Sequence, residues 1–273
     1  LKNPLFEEGE PPFLQRNHRL IKKFGLFFVK HYNLTKSYRS FNELATIEND
    51  FDIFVSGSDQ IWNPDIVRSS FIDGYPYLLD FVKSKKKISY ASSMGTYLCT
   101  PAETQALVQS LTSFSAISVR ENNTANMLEN LLKRPIVHSI DPTLLLSKSE
   151  WVKLLGIEKQ KNLKPYILVS VLKANRFLKQ IIEDVSDALN LDVIVINQDP
   201  FLNFKFAKHI RDAGPEEFIS FFANASFVIT DSYHGMAFSI NFNVPFIVAP
   251  PPTGINCKIR SMSSTDSGAC RPL

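Results

Sequence analysis

His234 stands in the run FVITDSYHGMAFS, residues 227–239, and its neighbours indicate the chemistry it is placed for. Residues 227–230 are apolar and largely β-branched, Asp231 and Ser232 are N-cap residue types, and residues 236–240 resume apolar side chains at helical spacing. The spacing predicts a strand, a tight turn and a helix whose first turn holds His234. A helix N-terminus presents backbone N–H groups and the positive end of the helix dipole, which suits an anion. A histidine there can hand a proton to something bound beside it. Ser232 and Gly235 lie beside it as candidate substrate contacts, Ser232 reading first as a cap. The plainer alternative is a surface histidine at a helix start. Its place at the carboxyl end of a strand, where open α/β sheets bind ligands, puts the chemical reading level with the plainer one.

Other strand exits carry similar residues. The strand 51–55 (FDIFV) runs into Gly57, Ser58 and Asp59, and the strand 87–91 (KISYA) into Ser93 and Gly95. Small residues there let backbone N–H groups approach a ligand, although a turn with a structural glycine reads the same way. Arg120 leaves the strand 116–119 and is the best fork-shaped partner for a phosphate or carboxylate; the competing reading is a surface ion pair with Glu121 or another acid. Ser58 and Asp59 are candidates for binding a ligand hydroxyl, with a capping role as the equal alternative, and Asp141 is read as shaping the turn at Pro142. No His, Cys or acid spacing suggests a metal, so metal-independent chemistry is expected.

The elements that must position these residues alternate. Helices are expected at 20–32, 103–114 and 123–132 and strands at 51–55, 87–91, 116–119 and 136–140. The aromatics of the first helix are read as core. A charged stretch at 151–164 reads as a linker. Beyond it come strands at 166–172, 192–196, 227–230 and 245–249 and helices at 176–189 and 216–225. Such alternation argues for parallel, doubly wound sheets. The expected division is an N-terminal Rossmann-like domain at 1–160 and a C-terminal one at 161–273.

The 273 residues, 44% hydrophobic and 21% charged, suit two globular cores. A formal charge of +3 is too mild to signal nucleic acid, and the run KSKKK at 83–87 reads as a solvated turn entering a strand, with a polyanion patch as the alternative. Three cysteines without CxxC spacing point away from disulfides and zinc, towards a reducing cytoplasm. No apolar run approaches the ~20 residues of a membrane span. The chain opens on Leu1, and from Pro250 onward it loses apolar periodicity, so both ends are expected to be incomplete.

Five segments, FDIFVSGSDQIWNP (51–64), YLLDFVKSKKKISYASSMG (77–95), AISVREN (116–122), IDPTLLLSKSEW (140–151) and GPEEFISFFANASFVITDSYHGMAFSINFNVPF (214–246), resemble the polysaccharide pyruvyl transferase family in order and spacing. The resemblance implies a glycosyltransferase-B-like fold of two Rossmann-like domains with the active site in their cleft. It implies phosphoenolpyruvate as donor substrate, with no separate cofactor, and a sugar or lipid-linked oligosaccharide as acceptor. Peripheral membrane association would follow from such an acceptor. His234 is then the expected acid and Arg120 the anion partner. The family's opening strand–turn–helix unit is not recognisable before residue 51, nor its C-terminal helices after residue 252. The alternatives are a nucleotide-sugar glycosyltransferase of the same architecture and a non-catalytic chain that binds sugar or an anion.

Overall fold

A computed structural model describes residues 12–67, 75–157, 164–172, 177–196 and 202–249. Its elements in chain order are α1 (Pro12–His31), α2 (Phe41–Ala45), β1 (Ile53–Ser56), α3 (Pro64–Val67), β2 (Lys86–Ser89), α4 (Pro101–Thr112), β3 (Ser118–Val119), α5 (Asn122–Leu132), β4 (Val137–His138), α6 (Lys148–Leu155), β5 (Tyr166–Ser170), α7 (Leu178–Leu189), β6 (Asp192–Ile196), β7 (Lys208–Ile210), α8 (Pro215–Asn224), β8 (Phe227–Thr230), α9 (Tyr233–Asn241) and β9 (Phe246–Val248). They fall into two units. Residues 36–145 form one, while α1 joins the elements from α6 onward in the other.

In the unit 36–145, β1 pairs parallel with β2, and β3 pairs parallel with β4. Between β2 and β3 serine hydroxyls take over part of the ladder. The Ser118 amide donates to Ser89 Oγ (3.0 Å), Ser89 Oγ donates to the Ser118 carbonyl (3.0 Å), and the Ala91 amide donates to Ser118 Oγ (2.9 Å). The fully buried Trp62, Leu107, Leu111, Phe114 and Leu128 form its core. Helix α4 is started by Thr100 and Glu103 in a reciprocal cap, with Pro101 in the first turn.

The other unit carries five parallel strands in the order β7-β6-β5-β8-β9. The chain winds outward from β5 through β6 to β7, then returns to the other side of β5 as β8 and β9. The crevice between β5 and β8 is therefore the topological switch point of the sheet. Every residue of β5 is buried, as a strand covered on both faces requires: Leu168 packs with Phe222, Val228 and Phe238, and Ile167 and Val169 pack with Ile182, Val195 and Ile229.

Several expectations are corrected. The stretch read as a linker contains α6, capped by Ser147 and Glu150 and ended by Gly156, with Trp151 against Phe238 (5.6 Å between rings) and Leu155 in the core. Its residues 158–163 lie outside the described ones, as does the tail from residue 250. Together α1 and α6 put the observed division at 145/146, where 160/161 was expected, because both pack against α8. Among the described aromatics of this segment, Phe27 packs into a core, while Phe24, Phe28 and Tyr32 are exposed. The strand β7 was not expected. Lys87, read as part of a solvated run, is buried in β2, where its Nζ approaches the Leu79 carbonyl (3.3 Å) and the Phe114 ring (5.6 Å), and burial lowers its pKa.

The remainder of the lysine-rich turn is anchored by Glu48. One carboxylate oxygen accepts from the backbone N–H groups of Lys83 (2.8 Å), Ser84 (2.5 Å) and Lys85 (3.0 Å). These bonds, that of Ser84 foremost, pull the carboxyl pKa from its ordinary 4.5 to about 2. A depressed carboxyl pKa contributes stability that is fully present above the unfolded value and is lost as pH falls towards the folded one. Glu48→Gln is thus expected to melt below the parent at neutral pH, with the gap narrowing as pH drops from 4.5 towards 2. Melting curves across that range check it, and a gap independent of pH would refute the linkage.

Candidate functional site

At the switch point, β8 ends in Thr230 and the chain turns through Asp231 and Ser232 into α9. Thr230 Oγ1 donates to the Ser170 carbonyl at the end of β5 (2.6 Å) and accepts from the Ser232 amide (3.1 Å). The buried Asp231 reaches across the same crevice, its Oδ1 accepting from the Leu172 amide (2.7 Å). Ser232 caps α9 by accepting from the Gly235 amide (3.5 Å). Gly235 is required there because a Cβ would lie 2.2 Å from Thr230 Oγ1. His234 is the second residue of α9, half-buried, with its ring edge-on to Tyr233 (5.3 Å between centroids). The turn is thus fixed from both strands, and it holds an imidazole over the start of a helix beside the crevice where doubly wound sheets bind ligands.

In the unit 36–145, the exits of β1, β2, β3 and β4 converge on Arg120. Its Nη2 donates to Asp59 Oδ1 (2.9 Å), its Nη1 to Asp141 Oδ2 (2.6 Å) and its Nε to Glu121 Oε1 (3.4 Å). The guanidinium side chain is 3% exposed and that of Asp141 1%, whereas Asp59 is 54% exposed. Burial works against the charge on Arg120, but the bond to Asp141 and the fields of Glu121 and Asp59 outweigh it and raise its pKa. Glu121 Oε1 also accepts from Ser93 Oγ, which in turn accepts from the Gly95 amide (3.0 Å). The other Glu121 oxygen is buried and has no hydrogen-bond partner among the described residues.

The loops are shaped for close approach. Gly57 has φ +148° and a Cβ on it would meet the Tyr90 carbonyl at 2.0 Å; Gly95 has φ +62° and faces Gln60. Ser58 is half-buried, and Asp59 takes a left-handed φ of 64°. The structure therefore gathers Asp59, Ser93, Gly95 and Arg120 in one unit and Ser232, His234 and Gly235 in the other. Arg120 differs from its sequence reading in one respect: its fork meets three carboxylates of its own chain, buried rather than at the surface. Asp141 shapes its turn as expected, accepting from the Thr143 amide (3.0 Å), but also carries the buried half of this ion pair. Thr230 and Asp231, as the ties across the switch point, were missed. Among the described residues no cluster of His, Cys, Asp and Glu is arranged to hold a metal ion.

Solved structures place the fold. The chain is similar to UDP-GlcNAc 2-epimerase from Methanocaldococcus jannaschii (14% identity, 88% of this chain and 82% of that one, TM-score 0.51). It is also similar to a Listeria monocytogenes protein assigned as a UDP-N-acetylglucosamine 2-epimerase (11%, 94% and 80%, TM-score 0.53) and to the UDP-GlcNAc-bound epimerase from Neisseria meningitidis (12%, 90% and 74%, TM-score 0.51). These likenesses define the class: an α/β protein with two Rossmann-like domains of the glycosyltransferase-B type. No curated protein matches the chain significantly. The family model "Polysaccharide pyruvyl transferase" matches residues 5–250, and the chain belongs to that family.

Proposed function

We propose that the chain transfers a pyruvyl group from phosphoenolpyruvate to two hydroxyls of a sugar in a cell-surface polysaccharide or its lipid-linked precursor, in the cytoplasm. The observation that carries this reading is His234 in the first turn of α9 beside the β5/β8 switch point, in a chain of this family. Protonation of the donor's methylene carbon makes a methyl group and leaves the adjacent carbon electron-poor. One sugar hydroxyl adds there, losing its proton; the C–O bond to phosphate then breaks, and the second hydroxyl completes the ketal. One hydroxyl proton replaces the one given to the methylene carbon and the other leaves with the phosphate, so one diol and one phosphoenolpyruvate give one ketal and inorganic phosphate.

His234 supplies the first proton, and the N-terminus of α9, with Ser232 and Gly235, receives the phosphate. Asp59, with Ser58, accepts from an acceptor hydroxyl, while Gly57, Ser93 and Gly95 shape that wall. Arg120 acts chiefly by holding Asp59 and Glu121 in place. The donor is tested by thermal shift. Phosphoenolpyruvate at about 100 times its Kd is expected to stabilise the chain by about 2.7 kcal/mol, with UDP and UDP-GlcNAc giving no change. A response to UDP alone would assign the chain to nucleotide-sugar chemistry, and a response to none of the three would leave it a protein without these donors.

A further inference from the structure

Helix α1 packs with one unit but leads straight into the other. It docks on the unit built from α6 onward, while the chain after it enters the unit 36–145 at 35/36 and returns at 145/146. Residues 32–39 form neither helix nor strand. The docking stripe is largely polar. Arg19 Nε donates to Asp212 Oδ2 (2.7 Å), and Lys23 Nζ donates to the Asp212 carbonyl (2.8 Å) and to both carboxylate oxygens of Glu217 (2.9 and 2.7 Å). Lys30 Nζ donates to Glu216 Oε1 (2.7 Å), and His31 Nε2 lies 3.1 Å from the same oxygen. Positions 19, 23, 27, 30 and 31 follow one face at helical spacing, and Phe27 packs there against the core that α8 shares.

The receiving acids stand where α8 uses them for itself. Glu216 and Glu217 occupy its first turn, and Glu217 also accepts from the Gly214 amide (2.8 Å) as part of the cap. The ion pairs stand partly in water, with the side chains of Arg19 52% and Lys30 58% exposed, so each is weak and screened by salt. The approach is nevertheless close. Gly214 has φ −79° and ψ 177°, a conformation open to any residue, yet a Cβ there would lie 2.8 Å from Lys23 Cβ. The bare backbone at 214 is what lets the stem of Lys23 lie against the start of α8. A helix in water draws most of its stability from packing, so α1 frays once it is off this surface. We propose that α1 is an electrostatic clasp, which lifts off α8 as one piece while the five-stranded sheet stays folded. Clasped, the unit 36–145 is tethered at both 35/36 and 145/146; with α1 lifted, it is tethered at 145/146 alone. The clasp needs no substrate, so it stands or falls apart from the pyruvyl transfer reading.

The test is hydrogen exchange of the whole chain read by mass spectrometry, in about 0.05 M and about 1 M sodium chloride. Peptides of α1 are expected to exchange about tenfold faster at the higher salt, the loss of several weak pairs together, with those of β5 and β8 unchanged. Docking by apolar burial would not loosen with salt. Gly214→Ala is expected to give fast α1 exchange at both salts while β5 and β8 stay protected, because the new Cβ and that of Lys23 cannot share the space. Arg19→Ala combined with Lys30→Ala removes two cations that are more than half exposed. That chain is expected to show faster α1 exchange at low salt and a smaller response to added salt. The proposal is overturned if α1 exchanges in step with β5, if salt leaves its exchange unchanged, or if both variants keep the parental protection of α1. Should Gly214→Ala lose protection throughout, the doubly substituted chain decides alone.

Discussion

His234→Gln is expected to lower pyruvyl transfer by roughly 100- to 10,000-fold while the chain keeps its fold. The size of the effect is that of losing a positioned general acid, and glutamine keeps a polar side chain of similar reach without a transferable proton. The fold should survive because the turn is fixed by other groups: Thr230 and Asp231 tie β8 to β5, and Ser232 caps α9. None of those bonds involves the imidazole. Phosphate release from phosphoenolpyruvate over a panel of sugar acceptors gives the rate, and circular dichroism with a melting curve gives the fold, parent and variant having the same chain length. Near-parent turnover in a folded glutamine variant would move the acid elsewhere. Unfolding of both the glutamine and alanine variants would make His234 a structural residue.

Arg120→Ala is expected to cost about 3–5 kcal/mol, the loss seen when a buried ion pair loses one partner. Asp141 dominates the effect, since its carboxylate is 1% exposed and would remain buried with no guanidinium beside it. The bond to Asp59, 54% exposed, adds little in water. For a unit of this size such a loss corresponds to a fall in melting temperature of more than about 10 °C. Arg120→Lys keeps a charge but cannot span three strand exits with one ammonium, so partial recovery is expected. Denaturant unfolding of both variants gives the comparison. An alanine variant with parental stability and weakened phosphoenolpyruvate binding would overturn this assignment and make Arg120 a direct donor contact.

The two sites were legible to different depths. The strand–turn–helix around His234 is local: apolar 227–230, the Asp231–Ser232 cap and the apolar residues after it are adjacent in sequence, and β8 and α9 fall where they imply. What surrounds Arg120 is not local. Its partners come from positions 59, 121 and 141, and only the register of four strands brings them to one guanidinium. Sequence could name the fork, but not that its own chain fills it. Helix α6 was hidden by its charges, although Ser147 and Glu150, three apart, carried the capping signal. In α1 the periodicity gave an amphipathic helix without saying which stripe faces inward. Acids nearly two hundred residues away, Asp212, Glu216 and Glu217, decide that.

The backbone nest over Glu48 has a consequence for competition. Consecutive amides at 83–85 form the kind of concavity that captures a phosphate or sulfate oxygen, and the lysines around them would add to its attraction. Here the chain supplies its own anion on a tether, so any external polyanion meets an occupant at an effective concentration of millimolar or more. The KSKKK turn is therefore self-quenched. Lys83 and Lys86 stand in solvent around the loop while Lys87 is buried, and an external anion would have to displace Glu48 to reach the three amides.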